Sequence, residues 1–191
     1  LHLCDQHLEK INNYEKINNN TLLVDVCQAA KFEGQSITRY HLKYQANYGD
    51  SPSQICTVLA RSFADIGDIV RGKDLFRGYD DEEKNRRKQL EENLKKIFGK
   101  IHSDVTKSGN NKDALQKRYN GDDPNFFQLR EDWWALNRKD VWKALTCEVG
   151  SGTYFRQTCG GGKDRTVTRE NCQCINGDVP TYFDYVPQYL R

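Results

Sequence analysis

A chain of 191 residues is long enough for one domain with a real core, or for two small lobes. Hydrophobic residues make up 37%, charged residues 29% and aromatics 11%, and the mean hydropathy is −0.87, so the core is thin and leans on large rings. The 29 basic and 27 acidic residues leave a formal charge of +2, which gives nucleic-acid binding no support and confines any polyanion site to a local patch.

Residues 1–53 read as a loop-rich first subdomain. An Asn-rich tract (Asn12, Asn13, Asn18, Asn19, Asn20) leads into a short amphipathic helix over Leu22 to Ala30. Gly34 to Pro52 then reads as loop ending in the turn Gly49-Asp50-Ser51-Pro52. Residues 54–191 read as a helix bundle. The first bundle helix has Ser53 as N-cap, an apolar stripe over Ile55, Val58, Leu59, Phe63, Ile66, Ile69 and Val70, and a stop near Gly72. The second follows the acids Asp80 to Glu83, suited to a helix N-terminus, and presents Leu90, Leu94, Ile97, Phe98, Ile101 and Val105 until Ser108 to Asn111 end it. The third takes Asp123 as N-cap and Pro124 as its first residue, with Phe126, Phe127, Trp133, Trp134, Asn137, Val141, Ala144 and Leu145 as its stripe. It carries all three tryptophans, and each buried aromatic of this kind removes roughly 150–250 Å² from water, so this helix is the expected centre of the bundle. Residues 147–179 lose helical patterning and form a Cys- and Gly-rich loop; Pro187 marks where a fourth helix would begin. No alternating strand pattern is present.

Seven cysteines point to disulfides in an oxidising compartment rather than to free thiols, and the odd count leaves at least one without a partner in the chain. The chain has no methionine, no signal segment at Leu1 and no run of about 18 apolar residues. It therefore reads as a segment of something larger, with no direct membrane insertion and with anchoring and secretion signals outside it.

Candidate chemistry is sparse. Gly160-Gly161-Gly162-Lys163-Asp164 fails the phosphate-loop pattern, because Asp follows the lysine and no strand precedes it. Cys4 with His7, and Cys172 with Cys174, could ligate a metal. Zinc sites usually need two ligand pairs with two to four residues between members, and only one residue separates Cys172 from Cys174, so disulfide bonding is favoured. None of His2, His7, His41 or His102 sits in a nucleophile context, so the expectation is no enzyme, no cofactor and no metal. Asn19-Asn20-Thr21 is a glycosylation sequon inside an Asn-rich tract. The best binding candidate is the basic run Lys84, Arg86, Arg87, Lys88, Lys95, Lys96 and Lys100, which would attract a sulfated glycan in a salt-dependent way. Against it, Glu82, Glu83, Glu91 and Glu92 are spaced to offset these charges as a solvated helix face.

Four motifs carry a resemblance. Ala60 to Asp74 (ARSFADIGDIVRGKD), Glu92 to Gly99, Asp132-Trp133-Trp134 through Val141-Trp142, and Pro180 to Arg191 (PTYFDYVPQYLR) occur in the order seen in Duffy-binding-like domains, the adhesion modules of malaria parasites. The wording of the first and fourth resembles the alpha type, which heads the variant surface antigen of infected red cells. The resemblance implies an all-α, disulfide-linked Duffy-binding-like fold with a third subdomain absent from this chain. It makes Ser62, Phe63, Ile66, Trp133 and Trp142 scaffold rather than site. By the family pattern Cys4 pairs with a cysteine upstream of the chain, and Cys56 with Cys172 or Cys174. Proximity suggests Cys147 with Cys159, which leaves Cys27 for the remaining member of the Cys172/Cys174 pair.

The function implied is non-catalytic cell adhesion on the outer face of the infected red cell. Its partners would be a host receptor (heparan sulfate, a blood-group sugar or a glycoprotein), antibodies and neighbouring domains of the same antigen, with rosetting and cytoadherence as outcomes. Family members that bind the Duffy receptor use the region matching about Asp25 to Cys56, and Gly34 to Tyr40 does not resemble theirs, so that receptor is not expected. The alternative is a structural spacer and antigenic scaffold beside a receptor-binding neighbour.

Overall fold

The computed structural model describes residues 18–48, 54–107, 110–160 and 163–191. Among them run five α-helices: α1 (Asn19–Tyr48), α2 (Gln54–Arg71), α3 (Asp81–Lys107), α4 (Lys112–Arg118) and α5 (Phe127–Leu145). Two 3-10 turns follow, Phe183–Tyr185 and Gln188–Leu190, and the described residues form isolated bridges but no sheet. The fold is all-α and disulfide-linked.

The tryptophan helix is the centre. Trp134 and Trp142 are fully buried on the side facing α2, where the Phe63 ring lies 5.1 Å from one and 5.2 Å from the other. Trp133 points the other way and meets Phe98 of α3 edge-on at 6.1 Å. Such aromatic pairs add about 0.5–1.5 kcal/mol each beyond the area they bury. Two glycines permit the close crossings. A Cβ on Gly67 of α2 would sit 2.8 Å from the Trp134 ring, and one on Gly34 of α1 would sit 1.9 Å from the Leu145 carbonyl oxygen.

The region expected as loop from Gly34 is helical: α1 continues to Tyr48. Gly34 looked like a breaker, yet it is the point where α1 touches the end of α5, and tertiary contact outweighs its poor helix propensity. Ser53, offered as the N-cap of α2, lies outside the described residues. The third helix begins later than expected, at Phe127, and the Asp122 carboxylate rather than Asp123 accepts the N–H groups of Gln128 and Leu129, each at 2.9 Å. Between them Phe126 takes a left-handed conformation (φ 54°), its ring buried 5.3 Å from His102. That twist turns Phe127 outward, so it is 46% exposed instead of joining the core stripe. Helix α4 was not foreseen; Arg118 and the Tyr119 hydroxyl bind Asp132 and tie it to α5.

Three buried arginines organise the ends of the helices. Arg130, fully enclosed, donates to the carbonyls of Val70 (2.7 Å) and Ile69 (3.1 Å) at the end of α2 and grips Glu91 of α3 at 2.8 and 2.9 Å. Gly72 (φ 72°) turns the chain beside it, where a Cβ would meet the guanidinium at 2.8 Å. Arg138 holds the buried Asp184 at 2.7 and 2.8 Å, and Trp134 Nε1 donates to the same carboxylate at 2.8 Å. Arg71 donates to Asp68 and to the Asp184 carbonyl. These contacts fasten the last dozen residues as a strap of short turns, and at the place expected to start a fourth helix Pro187 caps the 3-10 turn Gln188–Leu190.

The loop of residues 147–179 is irregular, as expected, and closed by Cys159–Cys174; Cys56–Cys172 ties it to α2. The pairing of Cys56 with one member of the Cys172/Cys174 pair therefore holds. Cys147 with Cys159 and Cys27 with the other member do not: Cys27 and Cys147 are free. Cys147 is exposed past the end of α5, whereas the Cys159–Thr166 bridge turns Cys159 back toward Cys174. Cys27 sits half-buried on α1, where Asp140 of α5 is its electrostatic neighbour. Cys4 lies outside the described residues.

Candidate adhesion surface

The basic run begins where α3 is capped. Asp80 accepts the Glu83 N–H at 2.8 Å while Glu83 reaches back to the Tyr79 N–H at 3.1 Å, a reciprocal arrangement of capping-box type. The preceding loop is clipped in place. Asp74 binds Arg87 of α3 at 2.6 Å and the Gln188 amide at 3.0 Å, and Gln188 accepts the Leu75 N–H at 2.7 Å.

With α3 built, the seven basic residues separate. At 3.6 residues per turn, Lys84, Lys88 and Lys95 fall in one row, with Arg87 beside it, while Arg86, Lys96 and Lys100 fall on another side of the helix. The row lines an open groove of about 720 Å³. Its floor is apolar, with Ile69, Leu90 and Leu94, and the rings of Phe76 and Phe127 bound it. Arg77, exposed in the loop, adds a further charge at the rim.

The charges on this rim are unequal in availability. Arg87 is committed to structure: it pairs with Asp74, approaches Glu83 at 3.6 Å and lies 4.5 Å over the Phe76 ring. Lys84 makes an exposed i,i+3 pair with Asp81, worth little in water. Lys95 stands 4.0 Å from Glu91, whose two oxygens are already held by Arg130. Neither Arg77 nor Lys88 has an ion-pair partner among the described residues. The offsetting glutamates thus act on part of the run only: Glu91 is turned inward to Arg130, and Glu83 is consumed by the cap.

Among the described residues no group of three or more His, Cys, Asp or Glu side chains could hold a metal ion. Cys172 and Cys174 are both in disulfides. Lys163 and Asp164 are exposed, while Gly161 and Gly162 lie outside the described residues. Burial, and secondarily Asp140, pushes the Cys27 thiol up to about 11, away from the reactive range. Asn19 of the sequon opens α1, and the Thr21 hydroxyl is engaged with Asn18 in the helix cap. No described helix is long and apolar enough to cross a membrane.

The described residues thus form an all-helical, disulfide-tied bundle built on a tryptophan beam, with a basic groove on its flank. The family model for the Duffy binding domain matches residues 1–191, and the chain belongs to that family. It is similar to the NTS-DBL1(alpha-1) domain of Plasmodium falciparum membrane protein 1 (PfEMP1) from the varO strain. That match has 40% identity and a TM-score of 0.76, covering 99% of this chain and 40% of that one. It is also similar to the ICAM-1-binding DBLbeta domain of PfEMP1 IT4var13, at 31% identity and a TM-score of 0.68, covering 100% of this chain and 39% of that one. That DBLbeta domain is also solved bound to ICAM-1, at 30% identity, a TM-score of 0.66 and coverage of 99% and 40%. The chain spans about two fifths of these solved relatives. No curated protein matches it.

Proposed function

We propose that this chain is a receptor-contacting part of an adhesion domain on the outer face of the infected red cell, binding host red-cell or vascular glycans or glycoproteins. The observation that carries the reading is the basic row on α3 beside an open groove, in a family whose DBLbeta relative is bound to a host protein. Heparan sulfate and blood-group sugars are the glycan candidates, and rosetting or cytoadherence the cellular outcome. Antibodies and neighbouring domains of the same antigen would meet the same exposed surfaces. The division at residues 53 and 54 is proposed as the subdomain boundary.

Salt-dependent heparin retention tests the glycan part. Changing Lys84, Lys88 and Lys95 to Glu is expected to lower the eluting salt concentration, because the contact is electrostatic and exposed. Changing Arg86, Lys96 and Lys100 instead locates the site if the other face carries it. Arg87 is left intact, since its loss would release the loop that Asp74 holds. Unchanged retention in both triple variants removes the polyanion site. The second reading, a spacer and antigenic scaffold, is favoured by the partial neutralisation of the row through Asp81 and Glu91; cell binding by the isolated domain separates the two, because a spacer shows none.

A further inference from the structure

We propose that the groove flanked by α3 and the start of α5 receives an extended acidic peptide segment carrying an apolar anchor, supplied by the protein part of a receptor. The inference rests on the adhesion reading and narrows its ligand. A polyanion by itself would use only the rim. This groove couples a rim of Arg77, Lys84, Lys88 and Lys95 to a floor of buried aliphatic carbons, and Phe127 stands half-exposed at its edge. The Phe127 ring is 46% exposed at the first position of α5 while the neighbouring Phe126 is buried, and the left-handed Phe126 backbone is what places it there.

Size and charge agree. The volume of about 720 Å³ lies within the roughly 300–1,000 Å³ typical of ligand sites. Lys84 to Lys95 spans about 16 Å along the helix, the reach of about five extended residues. Within that length Asp74 and Glu91 are already neutralised by Arg87 and Arg130, so the groove presents cations to an incoming chain and keeps its own carboxylates occupied. Arg77 and Lys88, without ion-pair partners among the described residues, would meet acidic side chains, and Phe127 with Phe76 would cover the anchor.

The test uses a fluorescent peptide with a Leu-Phe pair flanked on both sides by Asp and Glu, followed by anisotropy on the oxidised chain, with heparin retention and red-cell binding measured in parallel. Binding is expected, and replacing Leu-Phe by Gly-Ser should weaken it at least about tenfold, the lower end of the value of one buried apolar side chain. Phe127→Ser should weaken the peptide similarly while leaving heparin retention unchanged. Lys88→Glu should weaken both, and matched melting curves show that each variant is folded. Peptide binding that is absent, or indifferent to Leu-Phe and to Phe127→Ser, overturns the proposal; heparin retention or cell binding persisting in that case leaves the adhesion reading standing, with a glycan on the lysines. Peptide binding of the expected pattern without any cell binding supports the groove and sinks the adhesion reading alone.

Discussion

Replacing Asp184 by Ala should be among the most damaging changes available on the C-terminal strap. Its side chain is fully buried and accepts three hydrogen bonds: Trp134 Nε1 at 2.8 Å, Arg138 Nε at 2.7 Å and the Arg138 amino group at 2.8 Å. Truncation removes the carboxylate but leaves the Arg138 guanidinium, itself buried, without its counter-charge. Breaking one side of a buried pair costs about 3–5 kcal/mol, a large part of the roughly 5–15 kcal/mol that holds a domain folded. For a chain of this size each kcal/mol shifts the melting temperature by about 2–4 °C, so Asp184→Ala should lower it by about 6–20 °C. Circular dichroism melts with both disulfides intact measure this directly. The double variant Asp184→Leu with Arg138→Met removes both charges and should recover much of the loss, since apolar replacement of a buried pair is often neutral. A drop of less than about 3 °C in Asp184→Ala, or a double variant no better than the single, would refute the account of the strap as charge-pinned.

Gly34→Ala should destabilise by about 1–3 kcal/mol in urea titration, because its Cβ would lie 1.9 Å from the Leu145 carbonyl oxygen, while Gly150→Ala, with nothing within 4 Å, should be nearly silent. Removing Cys56–Cys172, separated by 116 residues, should cost more than removing Cys159–Cys174, separated by 15: about 4.7 against about 3 kcal/mol by loop entropy, readable as denaturation midpoints of the two double-Ala variants. Thiol labelling followed by peptide mapping should modify Cys147 first and Cys27 slowly. Because burial and Asp140 raise the Cys27 thiol from 9.0 to about 11, the folded state holds that proton longer than the unfolded chain. Its stabilising contribution is therefore complete below pH 9.0 and lost as pH rises toward about 11, and Cys27→Ser should flatten the melting-temperature profile across that window.

The helices of the bundle were legible because their apolar residues repeat at helical spacing and their ends are chemically marked. α2 stops at Gly72, where a positive φ is required, and α3 starts behind its acidic cap. What escaped was whatever depends on a distant partner. Gly34 read as the start of a loop because its contact with Leu145 is over a hundred positions away. Nothing in the sequence marks Arg71, Arg130 and Arg138, though each is buried against carbonyls or carboxylates from another element. The pairing of Cys159 with Cys174 depends on a bend in the 147–179 loop that no periodicity announces. The basic run was visible, but not its division into a groove-lining row and an outer row, which needs the position of the floor as well as the helix.

The three tryptophans show why family and ligand separate in this chain. Trp134 and Trp142 are spent on Phe63 and the α2 crossing, and Trp133 on Phe98, so the most distinctive rings in the sequence are closed to solvent. Such rings tolerate few replacements, because cavities and lost aromatic contacts are costly, and they identify the fold for that reason. They also fix the groove indirectly: Trp133 seats α3 through Phe98, and the same helix face that carries Leu94 and Leu90 to the core leaves Lys84, Lys88 and Lys95 along the rim. Residues on that rim can change with little effect on stability, whereas the floor beneath them cannot. Under the proposed reading, such a surface changes its chemistry residue by residue over a fixed aromatic beam, and ligand specificity is then sought in Arg77, Lys88 and Phe127 and not in the motifs that name the family.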